Sequence, residues 1–344
     1  MAELKLWEKI YSLCDELFSQ KPWKVLYEDD LFAVKNPESG NEYFISIMGS
    51  NEEVYALAAY EGADALYQFW NLHGSEGTLP PETVMLIPHM MVSLDDRENI
   101  PQKQRSVIKQ LGLQYRGKQA WPNIEKINPA YLPVIPDDSR LHDLVHILEQ
   151  SIHVIKRASK NKAFIHSQEH QDDEYLFREA EWDNDQWIWK DVYHSVPVPT
   201  RKEGITYSKN RLASFKELPA DNHELEMDLV MVPAPTKEKG GTPYFPFMFI
   251  MGDPEKGMIL DFELLSPQPD FHTMLARLPD TILEKLIKTG RRPGQINYKL
   301  PYIEGTMKWL KEQTGQKTEM RMELPVLDEA VDYLIDSMTG RNQG

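Results

Sequence analysis

Three stretches of this 344-residue chain have residue types at spacings that could do chemistry. His166-Ser167-Gln168-Glu169-His170 spells H-x-x-E-H, the inverted zinc-hydrolase pattern. There, two histidines one helical turn apart hold a metal and the glutamate acts as base. That chemistry needs a helix, yet 163–165 and 175–177 read as short strands and Gln171-Asp172-Asp173-Glu174 has loop composition. The expectation is an exposed polar loop. The alternative is a metal-dependent hydrolase using His166, Glu169 and His170.

The second stretch is His142, His146, Glu149 and His153, which fall on one narrow stripe of a helix at about 100° per residue. The apolar positions Leu144, Val145, Leu148, Ile152 and Ile155 lie to one side of it. His142 and His146 could share a metal, but two ligands on an exposed helix need a third from elsewhere. A solvated flank is the expected role. The third stretch, Gly112-Leu113-Gln114-Tyr115-Arg116-Gly117-Lys118, has most of a phosphate-binding loop. Gln119 stands where a magnesium-binding hydroxyl belongs, and a helix instead of a strand precedes Gly112. It reads as a helix stop followed by a strand, with Trp121 as packing anchor. Arg116, Lys118 and Trp121 remain the expected contacts for a polar ligand or partner.

No G-x-S-x-G elbow, G-x-G-x-x-G turn or Cys–His nucleophile pairing occurs, and no cofactor motif is read. The single cysteine, Cys14, excludes an internal disulfide framework and a cysteine-based zinc site, and its apolar helical setting makes it a core residue. Acidic residues outnumber basic ones 54 to 38, for a net charge of −16, so bulk nucleic-acid binding is not expected. The densest basic run, 156–162, is where a local nucleic-acid patch would have to lie. No run approaches the roughly 20 apolar residues that span a bilayer. Glu3, Lys5, Glu8 and Lys9 interrupt the apolar stretch a secretion signal needs. A cytoplasmic protein that does not enter membranes is the expectation.

The elements that must position these groups come from periodicity. Residues 4–19 read as an amphipathic helix through Leu6, Ile10, Leu13 and Leu17, followed by strands at 31–34, 43–48 and 54–60. A helix over 63–72, a buried strand at 84–92 and a helix from Pro101 to the Gly112 stop come next. Asp137-Asp138-Ser139 caps a long helix to about Arg157. The second half repeats the order of signals. Asp228-Leu229-Val230-Met231-Val232 echoes Asp30-Leu31-Phe32-Ala33-Val34, and Phe247-Met248-Phe249-Ile250-Met251-Gly252 matches Phe44-Ile45-Ser46-Ile47-Met48-Gly49. Strand 295–300, Pro301 and Gly315 mirror 84–112, and Leu324-Pro325-Val326 mirrors Leu132-Pro133-Val134. The reading is α+β: two related domains by tandem duplication, each a mostly antiparallel sheet with helices covering one face. The first is placed at 1–158 and the second at 159–344. The second carries an extra Trp-rich hairpin at about 163–196, turning at Asp183-Asn184-Asp185, and an irregular connection over 197–218.

Leu6-Trp7-Glu8-Lys9-Ile10-Tyr11, Lys21-Pro22-Trp23, Asp30-Leu31-Phe32, Ile47-Met48-Gly49, Arg116-Gly117-Lys118-Gln119-Ala120-Trp121-Pro122 and Pro129-Ala130-Tyr131-Leu132-Pro133 resemble an uncharacterised bacterial family of tandem domains of unknown function. The resemblance covers most of 1–158 and the second half more loosely. It implies a bacterial cytoplasmic protein of two domains and supplies no activity, substrate or catalytic residue. The functional expectation is a non-enzymatic binding or interaction module for a protein or small-molecule partner, with the metal-dependent hydrolase as the alternative.

Overall fold

The structure is a computed structural model that describes residues 2–74, 81–165, 174–199 and 204–339. The chain forms two compact units, one of Met1–Asn128 with Pro133–Thr200, the other of Pro129–Leu132 with Arg201–Gly344.

In the first unit, α1 (Ala2–Ser19) precedes a meander of β1 (Phe32–Lys35), β2 (Glu42–Met48) and β3 (Tyr55–Glu61). Then come α2 (Gly62–Gly74), β4 (His89–Asp95), α3 (Gln102–Gln110), β5 (Trp121–Ile127), α4 (Asp138–Ala158) and the hairpin of β6 (Glu174–Asp183) and β7 (Gln186–Ser195). They make one seven-stranded sheet in the order β5-β4-β3-β2-β1-β6-β7, antiparallel except where β6 joins β1 in parallel. Both faces are covered. Phe32, Val34, Tyr43, Ile45 and Leu57 pack with α1 and α4 through Trp7, Ile10, Leu17, Leu144 and Leu148. Leu31, Ala33, Phe44, Ala58 and Tyr60 pack on the opposite face with Ala65, Leu66 and Phe69 of α2. A strand buried on both sides has no polar face, which is why β1 reads as an unbroken apolar run. The single covered face expected from the sequence is therefore replaced by a three-layer arrangement.

The second unit contains α5 (Lys209–Glu217), β8 (Glu224–Met231), β9 (Phe247–Asp253), β10 (Met258–Leu265), α6 (Phe271–Lys288), β11 (Gln295–Tyr298), α7 (Glu304–Thr314), β12 (Thr318–Met320) and α8 (Pro325–Thr339). Its sheet runs β10-β9-β8-β11-β12, with β11 and β12 added in parallel. Leu324 and Leu327, at the start of α8, pack on Val232, Met248 and Ile250. Phe271 of α6 stacks near Phe247 at 5.0 Å, which places α6 on the other face. Pro129–Leu132 counts with this unit because Tyr131 bridges Tyr244 and its hydroxyl donates to Pro267 O at 3.2 Å.

The first two strands of the proposed repeat share a register. Ala33 faces Phe44 in the first unit and Met231 faces Phe247 in the second, the same pair in the sequence match. The tails diverge. β4 adds antiparallel to β3, whereas β11, its sequence counterpart, adds parallel to β8 at the opposite edge. The edge of β1 that would correspond is occupied by β6. That pairing also moves the Trp-rich hairpin into the first unit, so the division falls near 200 instead of 158/159. The expected strand at 84–92 resolves into a 3-10 turn, Pro81–Leu86, and β4, separated at Pro88, and α5 forms inside the expected irregular connection.

Candidate functional site: a basic groove beside Trp121

The groove is built on α3. Gly112 at φ 70 ends this helix, and Leu113 N donates to Ile108 O at 3.1 Å, a Schellman-type stop that turns the chain back toward β5. Gln104, fully buried, fixes the helix to β5. Its amide donates to Ile124 O at 2.8 Å and accepts from Ile124 N at 3.1 Å, doing for this edge strand what a neighbouring strand would do. With Gln104 turned inward, the positions one turn apart, Gln102, Arg105 and Lys109, line the other side. Arg97, from the β4–α3 connection, places its guanidinium carbon 5.6 Å from the Trp121 ring centroid. Trp121 is half-buried and rests at 5.8 Å on Tyr115.

These residues line an open groove of about 550 Å³, a volume in the range of small-molecule sites. The lining contains Arg97, Arg105 and Lys109 and no Asp, Glu, His or Cys. Among the described residues, none of the three cations has a carboxylate within ion-pair distance. In a chain of net charge −16, a lining with three cations and no carboxylate runs against the overall charge balance.

Of the three contacts expected from sequence, Trp121 lines the groove, while Arg116 and Lys118 are exposed and do not. Arg116 reaches only the Gln114 side chain, at 3.5 Å. Gly117 (φ 108) and Gln119 (φ 46) take left-handed conformations, and the Gln119 amide donates to Asp96 Oδ1 at 2.7 Å; Arg116 and Lys118 fall in this turn, outside the lining. Arg97, Arg105 and Lys109 were missed. The available signal was the polar stripe Gln102, Arg105, Ser106 and Lys109 on α3; their unpaired state depends on the fold.

Three of the four cations in the basic run 156–162 are paired. Lys156 pairs with Glu16 at 2.5 Å, Arg157 with Asp191 at 2.5 Å and Lys162 with Asp30 at 2.6 Å. On the helix stripe, His142 and His153 are exposed and Glu149 pairs with Lys9 at 2.8 Å. His146 lies 5.9 Å from the Trp189 ring, with Nδ1 buried and unbonded. Burial and the guanidinium of Arg178 hold the His153 imidazole below its ordinary range. No third ligand meets His142 and His146, and no group of three His, Cys, Asp or Glu among the described residues could hold a metal. His166, Glu169 and His170 lie outside the described residues.

A second polar cluster is fully self-satisfied. Asp143 of α4, buried, accepts from Asn36 (2.5 Å), Asn41 (3.1 Å), Ser39 (3.2 Å), Arg140 (3.3 Å) and the Tyr43 hydroxyl (2.5 Å). Arg140 continues to Glu61 at 2.5 Å. Burial, then the Asp143 carboxylate, push the Tyr43 phenol far above its usual range. With every lone pair engaged, the cluster pins the β1–β2 turn to α4 and has no open valence for a ligand.

Residues 7–178, half of the chain, match the family model of a domain of unknown function, DUF7309. The chain belongs to that family. Residues 211–335 match a second domain of unknown function, DUF6930, so two different domains of unknown function stand in tandem. The DUF7309 match holds α3, β5 and the whole groove and ends inside β6, the strand that joins β1. No curated protein matches the chain. A solved structure, the crystal structure of the Mos1 strand transfer complex, is found at 11% identity over 74% of this chain and 75% of that one. Its TM-score of 0.20 is too low to relate the folds. No helix among the described residues is long and apolar enough to cross a membrane.

Proposed function

We propose that this chain acts by binding, and that the DUF7309 unit takes up an anionic ligand in the groove between α3 and β5. The observation that carries the reading is the trio of unpaired cations, Arg97, Arg105 and Lys109, around the half-buried Trp121. An anion entering there gains partners without breaking existing ion pairs. The lining has no carboxylate, imidazole or thiol to serve as a general base, which favours binding over catalysis. The bacterial source and cytoplasmic location implied by the sequence belong to the same proposal.

Calorimetric titration of the full chain with inorganic pyrophosphate tests it. Binding should weaken as salt is raised from 20 to about 300 mM, because exposed charges are screened over a shorter Debye length. Charge reversal at Lys109 (Lys109→Glu), an exposed position, should weaken it at least tenfold. Affinity unchanged by that substitution would place the anion elsewhere and end the reading.

A further inference from the structure

The groove has two chemically different ends, and together they specify more than a charge. Arg105 and Lys109 sit one helical turn apart on α3, about 5–6 Å between Cβ atoms, a spacing from which both can reach one phosphate group. At the other end, the Trp121 indole with the Arg97 guanidinium over it offers a flat, polarisable face. Gln102 and Gln114 add side-chain amides to the lining; Gln102 offers a donor and an acceptor for the edge of a ring, while the Gln114 oxygen already accepts from Arg116.

From this we infer that the ligand is a nucleoside phosphate, its phosphate held by Arg105 and Lys109 and its base packed against the Trp121–Arg97 pair. The inference rests on the anion-binding reading above and narrows it. A polynucleotide is disfavoured by the same numbers. The groove lining holds only three cations, three of the four cations in the run 156–162 are already paired, and the chain carries −16 overall. The groove's volume of about 550 Å³ fits one small molecule. An acidic peptide would satisfy the cations but leave the flat face and the amides without a specific partner.

The test is a set of titrations of the full chain with ADP, inorganic pyrophosphate, adenosine and a polyglutamate peptide, repeated on Trp121→Phe, Trp121→Leu and Lys109→Gln. ADP should bind more tightly than pyrophosphate or adenosine. Trp121→Leu should weaken ADP roughly tenfold while leaving pyrophosphate unchanged, since base–aromatic stacking contributes about that much. Trp121→Phe, which keeps an aromatic face and the packing on Tyr115, should restore most of it. Lys109→Gln should weaken ADP and pyrophosphate alike. ADP no tighter than pyrophosphate, or polyglutamate tighter than ADP, would overturn the nucleotide inference and leave the anion groove standing. Failure of all four probes to bind would overturn both.

Discussion

The two units place a buried aspartate at the same point of the same hairpin and satisfy it in different ways. Asp30 precedes β1 and meets the Lys162 ammonium at 2.6 Å and the Tyr27 amide at 2.8 Å. Asp228, its counterpart within β8, accepts from backbone amides, Leu229 N at 3.0 Å and Leu300 N at 3.1 Å, and among the described residues no side chain donates to it. Burial therefore dominates at Asp228 and pushes its carboxyl up to about 6. The difference follows from the strand beside it. β11 leads directly to Leu300 and brings an amide to Asp228, whereas in the first unit β6 fills the adjacent slot and the segment before it supplies a lysine. One shared hairpin has been completed from two different sources, so equivalent residues carry different physics.

The largest contrast to test is at the hairpin turns. The β1–β2 turn hangs on Asp143, while the β8–β9 connection is longer and tied by a Thr236–Tyr244 bridge. Asp143→Ala should cost the first unit about 3–5 kcal/mol, the range for breaking a buried charged network, and leave the second unit unchanged. Hydrogen exchange read separately in the two sheets checks both halves of that statement. Equal loss of protection in the two sheets would dissolve the distinction.

The next contrast is the Ile-Met-Gly that both halves share at the ends of β2 and β9, Ile47-Met48-Gly49 and Ile250-Met251-Gly252. Gly49 has φ 131, and a Cβ there would lie 2.7 Å from Tyr55 Cδ1 and 3.0 Å from Trp23 Cβ. Gly252 lies in β9, outside the left-handed region, and a Cβ would meet the methyl ends of Leu327 and Val326 at 3.0 and 3.1 Å. Gly49→Ala should therefore cost about 3 kcal/mol and Gly252→Ala about 1 kcal/mol by urea denaturation, combining strain with overpacking at the first and mild overpacking at the second. The reverse order would mean that the repeat glycine is kept for one common reason.

The smallest contrast is one of pH. A carboxyl whose pKa is raised on folding binds its proton more tightly in the native state, so it stabilises below the folded value and costs stability as pH rises through it. For Asp228 the cost appears between about pH 4 and pH 6 and reaches at most about 3 kcal/mol by neutral pH. Asp228→Asn keeps an acceptor for the two amides and removes the charge, so relative to the parent it should be more favourable at pH 7 than at pH 4.5. A gap between the two proteins that does not change with pH would show that Asp228 is not held neutral by burial.

Local structure was legible wherever one residue's conformation decides it. Asn184 and Asp185 take φ 46 and 60, the left-handed pair that a tight hairpin turn needs. Asp137 caps α4 by accepting from Arg140 N at 3.1 Å. The Asp-Leu strand register was legible because both halves repeat its residues. What was not legible depends on contacts distant in sequence. Ala33 pairs with Phe177 across more than a hundred residues, and no local pattern announces it. For the site, Trp121 was found by its residue type, but its companions come from α3 and the loop before it, through the Gln104 clamp on β5. Whether a surface cation is free or paired is likewise a property of the fold: Lys156, Arg157 and Lys162 have carboxylate partners, while Arg97, Arg105 and Lys109 have none among the described residues.

The central claim is that the first unit, and within it the α3–β5 groove, is the anion site. Amide resonances followed while pyrophosphate is added to the full chain test it most directly. The account predicts saturable shifts concentrated at 97–121 and abolished by Lys109→Glu, with the amides of 211–335 unmoved. Shifts centred in the second unit, or shifts at 97–121 that survive Lys109→Glu, would contradict it.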